Sequence, residues 1–485
     1  MTAALGMIVP PFGPPASPMQ VPLRVPPRSR ARARTVAAAL ALAALAAVPA
    51  ARAQSLAEAV AEALRSHPRV VAARSNAQSV GFEITGAQSQ MNTRFGLIAE
   101  PGYGYVRGYG HDSIGDLGVQ AIKPIYDSGR TDNEVARQRA RLASANQQLE
   151  LARADVALRV ADAYVEVVKQ LALAALAREY VVNIGSLNQR VEEIVKLDRG
   201  RGYDLLQTQS RLSQARLTQS TRDGLLQEAQ ATLAQLVGRP VPAPVEPATP
   251  GPLPASLADA QAALDNHPQV LAGLADVEAA RRAAAVASAW DKPTVSVRGR
   301  VRSPEYPAGN RQWFGGYDVG LVTDWNPFDG GVGAARAAAA SAQIAAAEEN
   351  AAASRRDLGT EIARQWTQMQ SRAARTGSLG DLVETARKVR AAYWEQFQIG
   401  KRAIIDLLNA ENETYQSQLS AITERLELLQ IRYRLFATQA KLTPFLGIAP
   451  AEPVMEPNPD AAGAAGSPGN NSPSGIQALP DLPRR

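Results

Sequence analysis

The chain has 485 residues, with 52 Lys and Arg against 46 Asp and Glu, a formal net charge of +6, 3 histidines and no cysteine. The missing cysteine excludes disulfides, thiolate metal sites and a lipidated N-terminal thiol, so packing alone must hold the fold. The basic balance invites a nucleic-acid reading, but residues 1–53 carry Arg24, Arg28, Arg30, Arg32, Arg34 and Arg52 with no acid, and without them 46 basic residues face 46 acidic ones.

That N-terminal stretch, 1–53, reads as a secretory signal with a Pro-rich extension. The basic run Arg28 to Arg34 precedes an apolar segment, Thr35 to Val48, and Ala51-Arg52-Ala53 supplies small residues for cleavage before Gln54. A membrane anchor is the alternative, yet about 14 apolar residues fall short of a bilayer span. The Pro-rich part before Arg28 is unusual for a signal and fits an overextended start. After Gln54 no run of about 18 apolar residues occurs, so no helical span is expected.

The rest of the chain says nearly the same thing twice. Ser55 to Val70 (SLAEAVAEALRSHPRV) returns as Ser256 to Val270 (SLADAQAALDNHPQV), one residue shorter. Pro124 to Arg130 (PIYDSGR) returns as Asn326 to Val332 (NPFDGGV), and Gly202 to Leu212 is answered by Ala403 to Glu413, where an offset of one residue aligns Asp204 with Asp406. Such duplication predicts one structural unit made of two copies. The first repeat spans 54–240, a Pro-rich linker 241–255, and the second repeat 256–450. The tail 451–485, rich in Pro, Gly, Ala, Ser and Asn, is expected to be disordered.

Each copy contains a short island of period-two alternation. Strands are predicted at about 94–108 and 115–126, then at about 293–303 and 313–326. In the first strand Phe95, Leu97, Ala99, Tyr103 and Tyr105 share one face, opposite Gly96, Gly102, Gly104 and Gly108. In the last, Trp313, Tyr317, Val319, Leu321 and Trp325 oppose Gly316, Asp318, Gly320 and Asp324. One apolar face edged by aromatics and one charged or glycine face fit transmembrane β-strands, with Phe95, Tyr103, Tyr105, Trp313, Tyr317 and Trp325 toward lipid. Soluble hairpins with one solvated face are the alternative. Four strands cannot close a barrel, so a barrel would have to be shared by several chains.

Around the islands run long helices. Residues 129–199 contain no proline, and Leu142, Leu149, Val156 and Ala163 recur every seven residues; at 1.5 Å per residue such a helix is about 100 Å long. Its counterpart is predicted at about 333–399, with return helices at about 204–238 and 404–447. In the last of these Tyr415, Leu419, Ile422, Leu426, Leu429, Tyr433 and Phe436 step by four and three, a heptad seam.

This ordered set resembles the TolC-like outer-membrane channel proteins of Gram-negative export systems, over essentially all of Gln54 to about Pro450. The twofold repeat, His67-Pro68 and His267-Pro268, the DSG and DGG turns and the DLL segments carry it. The resemblance implies a mixed membrane α/β fold: four transmembrane β-strands per chain in a trimeric 12-stranded barrel, continued by a long periplasmic coiled-coil tunnel. It implies passage rather than chemistry. No Ser/His/Asp or metal-ligand spacing is present, so no enzyme, cofactor or metal is expected, and His67 and His267 read as helix-start residues.

The resemblance also implies a periplasmic gate where the long helices reverse. By position, Arg402 is the link-forming cation, Tyr203 and Asp204 its partners on the neighbouring helix pair, and Asp406 a ring carboxylate that gives a narrow mouth a negative potential. Asn409 stands where the best-known member has a second aspartate, and Phe397 where it has a tyrosine. The competing reading is that Asp204 and Asp406 merely cap their helices. Implied partners are two further copies, a periplasmic adaptor, an inner-membrane ABC transporter or other pump, and outer-membrane lipid, with no nucleic acid. The missing lipidation cysteine favours type I protein secretion, including repeat-containing toxins, over multidrug efflux. A periplasmic adaptor is the alternative from another class, but would show one helical hairpin rather than two repeats; a plain coiled-coil rod leaves the amphipathic strands unexplained.

Overall fold

The computed structural model describes residues 55–106, 110–242, 244–305 and 316–457, the side chains at 101–104, 106, 110–116 and 302–305 excepted. The signal segment, the tail beyond 457 and Trp313 lie outside the described residues, as does the side chain of Tyr103.

Each repeat opens on short helices started by side-chain caps. Helix α1 (Leu56–Ser66) begins with a capping box in which Ser55 and Glu58 bond each other's backbone N–H, and α2 (Pro68–Gln88) begins at His67, whose Nδ1 accepts from Arg69 N at 3.2 Å. The second copy uses the same devices. Ser256 and Asp259 form the box of α5 (Leu257–Gln261), and His267 caps α6 (Pro268–Ala287) by accepting from Gln269 N at 3.1 Å. Burial pushes His267 below its ordinary pKa, which keeps Nδ1 free to accept. One residue fewer separates Ser256 from His267, and the copy cannot hold a continuous helix between its two caps. It breaks instead into α5 and a 3-10 turn, Leu264–Asn266.

The strands β1 (Arg94–Val106), β2 (Gly110–Tyr126), β3 (Thr294–Glu305) and β4 (Gly316–Asp324) form one antiparallel sheet in the order β1-β2-β3-β4. The two hairpins, one from each repeat, join through β2 and β3, with a register shift between Pro124 and Tyr126. Among the described residues β1 and β4 each have one unpaired edge.

From the sheet descend α3 (Arg130–Leu197), its return α4 (Gly202–Val237), α7 (Val332–Gln398) and its return α8 (Ile404–Thr438), with a last short turn α9 (Leu442–Phe445). Both long helices start alike. Gly129 and Gly331 stand at the N-cap in the left-handed region, at φ 76° and 92°. Two residues earlier an aspartate accepts two backbone N–H groups: Asp127 from Gly129 (3.0 Å) and Thr131 (2.6 Å), and Asp329 from Gly331 (3.0 Å) and Gly333 (2.6 Å). These carboxylates satisfy orphan donors where the helix dipole favours negative charge. Asp127→Ala and Asp329→Ala should each cost about 1–2 kcal/mol, read as lower urea midpoints; a loss below about 0.3 kcal/mol would contradict this role.

The main core gathers where α1, α3, α4 and α8 meet, around Leu149, Val156, Val160, Leu233, Leu426 and Tyr433. Two buried tyrosines fasten the Pro-rich linker to it. Tyr164 Oη both donates to Val245 O and accepts from Val245 N, each at 3.0 Å, and Tyr433 Oη donates to Ala248 O at 2.6 Å. Composition placed residues from 451 onward in a disordered tail, and for 451–457 the structure corrects this. Val454 N donates to Asn146 Oδ1 at 2.9 Å, Glu456 pairs with Arg139 at 3.1 Å, and Val454 packs beside Ile84 and Leu142. Partners some 300 residues away hold this strap, and local composition does not report them.

Candidate functional site

At the far end from the sheet each long helix reverses through a tight turn. In the first hairpin Asp198 accepts from Gly200 N at 3.0 Å, which closes a 3-10 turn, Arg199–Arg201, ahead of α4. Asp204 then sits in the first turn of α4 and pairs with Arg201 at 3.1 Å, while Tyr203 is 70% exposed. In the second hairpin Gly400, at φ 71°, ends α7, and Lys401 N donates to Gln396 O at 2.9 Å. Ala403 is the extended residue before α8.

Arg402 organises this second tip. Its Nε donates to Gln396 Oε1 at 3.1 Å, its Nη1 to Asp406 Oδ2 at 3.3 Å, and its guanidinium lies 4.1 Å from the centre of the Tyr393 ring. Within the subunit, therefore, Arg402 is partnered by its own hairpin and Asp204 by its own. The expected partnership of Arg402 with Tyr203 and Asp204 is not among the contacts inside one subunit. Neither Asp204 nor Asp406 is a cap: the N-cap residues are Arg201 and Ala403, without side-chain caps, and each aspartate is the third residue of its helix, within the first turn. Asn409 is exposed on α8, one turn beyond Asp406.

Beneath the tips a cluster of Ile184, Leu187, Val191, Phe397, Ile404, Leu407 and Leu408 ties the two hairpins together. Phe397 is buried there. Arg190 of the first hairpin lies 4.6 Å over Trp394 of the second. Higher up, Tyr180 and Tyr415 stack at 4.5 Å, and nearly buried Glu411 pairs with Arg390 at 3.5 Å. Sequence reading missed this second polar link because its members lie on three different helices. Burial pushes the Glu411 carboxyl above its ordinary pKa and Glu179 adds to the push, against Arg390. A raised folded pKa means protonation favours the fold: the stability this group contributes is present below its unfolded pKa and lost as pH rises through the folded one. Glu411→Gln, which mimics the protonated form, should be more stable than the parent at pH 8, with the gap closing as pH falls toward 4. A gap that does not change with pH would contradict the shift.

At the other end, the sheet turns its apolar residues outward. Phe95, Leu97 and Tyr317 are 78%, 84% and 85% exposed, and Tyr105 and Val319 are also exposed. Trp325 follows the end of β4, exposed, with its indole N–H donated to Asp291 O at 2.9 Å. The opposite face carries Gln120, Arg298, Arg300 and Asp318. No helix among the described residues is long and apolar enough to cross a membrane, and no cluster of metal-ligating side chains occurs among them.

Comparison with known proteins places this architecture. Residues 260–439 match the family of outer membrane efflux proteins. The outer membrane efflux protein BepC of Brucella suis is 23% identical over 337 residues, which is 68% of this chain and 73% of that protein. The outer-membrane channel OprN superposes with a TM-score of 0.69 at 19% identity, covering 81% of this chain and 90% of its own. The outer membrane protein VceC of Vibrio cholerae does so with 0.67 at 18% identity, covering 82% and 97%. At these identities the superpositions speak for the fold alone. Over residues 260–439 the chain thus matches the outer membrane efflux protein family, and its location is the outer membrane.

Proposed function

We propose that three copies of this chain form the exit channel of a tripartite export system, conducting cargo passively from an inner-membrane transporter and its periplasmic adaptor to the exterior. The observation that carries the reading is a four-stranded sheet with an exposed apolar face and, among the described residues, two unpaired edges. Unpaired backbone groups are not tolerated in lipid, so the edges must meet those of neighbours, and three copies supply 12 strands. The helices continue the barrel as a periplasmic tunnel. Its tips expose Leu197, Tyr203 and Ile399, which suit contact with an adaptor. The tip residues Tyr203, Asp204, Arg402, Asp406 and Asn409 form the gate, with Asp406 as a threefold carboxylate ring.

For cargo, the chain without cysteine favours type I secretion of a protein. The description of BepC as an efflux protein supports the second reading, small-molecule efflux. Deleting the gene and following both the culture medium and drug susceptibility separates them. Loss of one secreted protein at unchanged susceptibility supports secretion, and sensitisation to drugs with an unchanged medium supports efflux. A mutant altered in neither would overturn the export reading.

A further inference from the structure

The polar face of the sheet is not uniformly charged. Cross-strand register aligns Arg94 of β1, Ile122 of β2, Arg298 of β3 and Gly320 of β4 in one row. This row holds two arginines and no acid. Neither Arg94 nor Arg298 forms an ion pair among the described residues, and the Nε of Arg298 is occluded without an acceptor. The neighbouring row differs: there Arg300 faces Asp318 across the strands, with a 3.3 Å contact.

Other acids on this face stand farther off. Glu100 and Asp116 oppose each other in a row six residues along the sheet, about 20 Å away at 3.3 Å per residue. That is about twice the screening length in physiological salt. Asp324, beside Thr294, lies four residues the other way, about 13 Å. Within one subunit the two guanidinia thus have no ion-pair partner among the described residues, at the end of the sheet from which the helices descend.

We propose that Arg94 and Arg298 form an anion-binding belt on the water-facing side of the barrel base, with multivalent oxyanions as its ligands. Guanidinium groups bind carboxylate and phosphate oxygens through paired N–H donors. The belt rests on the trimeric channel reading, in which three copies bring six guanidinia to one constriction. Cargo leaving the tunnel would pass a carboxylate ring at the tips and then a guanidinium belt at the barrel, so the two ends of the conduit would select in opposite senses.

The test is block of the reconstituted trimer in planar bilayers by tripolyphosphate, and by an oligo-aspartate of equal charge, added separately to the barrel side and to the tip side. The expected result is block from the barrel side. The Arg94→Gln/Arg298→Gln variant should raise the half-blocking concentration at least about tenfold, while Arg94→Lys/Arg298→Lys should stay close to the parent. Block by tripolyphosphate alone would assign the belt to phosphate, and block by both to oxyanions in general. Block unchanged in the glutamine variant, or equal from the two sides, would overturn the belt while leaving the channel intact. Absence of any conductance step from folded trimers would overturn the channel reading, and the belt with it.

Discussion

In the proposed trimeric channel, replacing Arg402 with Ser and Asp204 with Ala together should raise the single-channel conductance several-fold. Arg402 joins three groups of its own turn, Gln396, Asp406 and Tyr393, and Asp204 anchors Arg201 on the other tip. These groups are partly exposed, so each contact contributes on the order of 0.5–1 kcal/mol. Over both tips and three subunits the four contacts come to roughly 6–12 kcal/mol, and about 3 kcal/mol of it, where it favours the closed mouth over the open one, moves the closed-to-open ratio about a hundredfold. The fold should survive, because Ile404, Leu407, Leu408 and Phe397 hold the hairpins together beneath the tips. Loss of Arg402 also frees Asp406, so the variant should show stronger block by multivalent cations than a charge-neutral opening would. Folded trimers with unchanged conductance would remove these residues from the gate.

Why the tips were located by sequence but not resolved by it follows from where each partner comes from. A proline-free run ending near a glycine and followed by DLL marks a reversal, and Gly400 in the left-handed region and the start of α8 at Ile404 fall in that segment. The partner of Arg402 was legible only as a charge type. Its choice of Asp406, four residues on, depends on the angle at which α8 leaves Ala403, and that angle is set by the buried cluster below. The strap at 451–457 shows the same limit, since Asn146 and Arg139 that hold it lie on α3. The alternation of the strands, by contrast, is a local pattern, and it located the apolar face directly. The DSG and DGG turns were visible as turns; that each aspartate accepts from two backbone amides requires the distances. The shortened copy was visible by counting, yet its consequence, a helix broken into α5 and a 3-10 turn, needed both caps to be seen in place.

Arg130→Ala should cost about 2–4 kcal/mol. Arg130 opens α3 in the first repeat, but its guanidinium serves the second. It donates from Nε to Ala289 O at 3.1 Å and from Nη2 to Lys292 O at 2.9 Å, where α6 ends and β3 has yet to begin. Carbonyls past a helix C-terminus have no partner in their own helix, and Ala289 is buried, so water replaces the lost donors poorly. Ser128 adds a bond from Oγ to Pro293 O at 2.7 Å. From the other side Trp290 lies so close to Gly333 that a Cβ at 333 would come within 2.2 Å of the ring. The starts of both long helices thus grip the segment 288–293 where helices give way to strands. The repeats have diverged here, since Val332 stands where the first copy has Arg130, so the second copy cannot supply the missing donor. Arg130→Lys should recover less than half of the loss, because one ammonium cannot reproduce the planar fork that spans Ala289 and Lys292. Urea unfolding of the purified protein would report it. A change of less than about 0.5 kcal/mol, the range of an ordinary surface substitution, would show that the segment is held without Arg130.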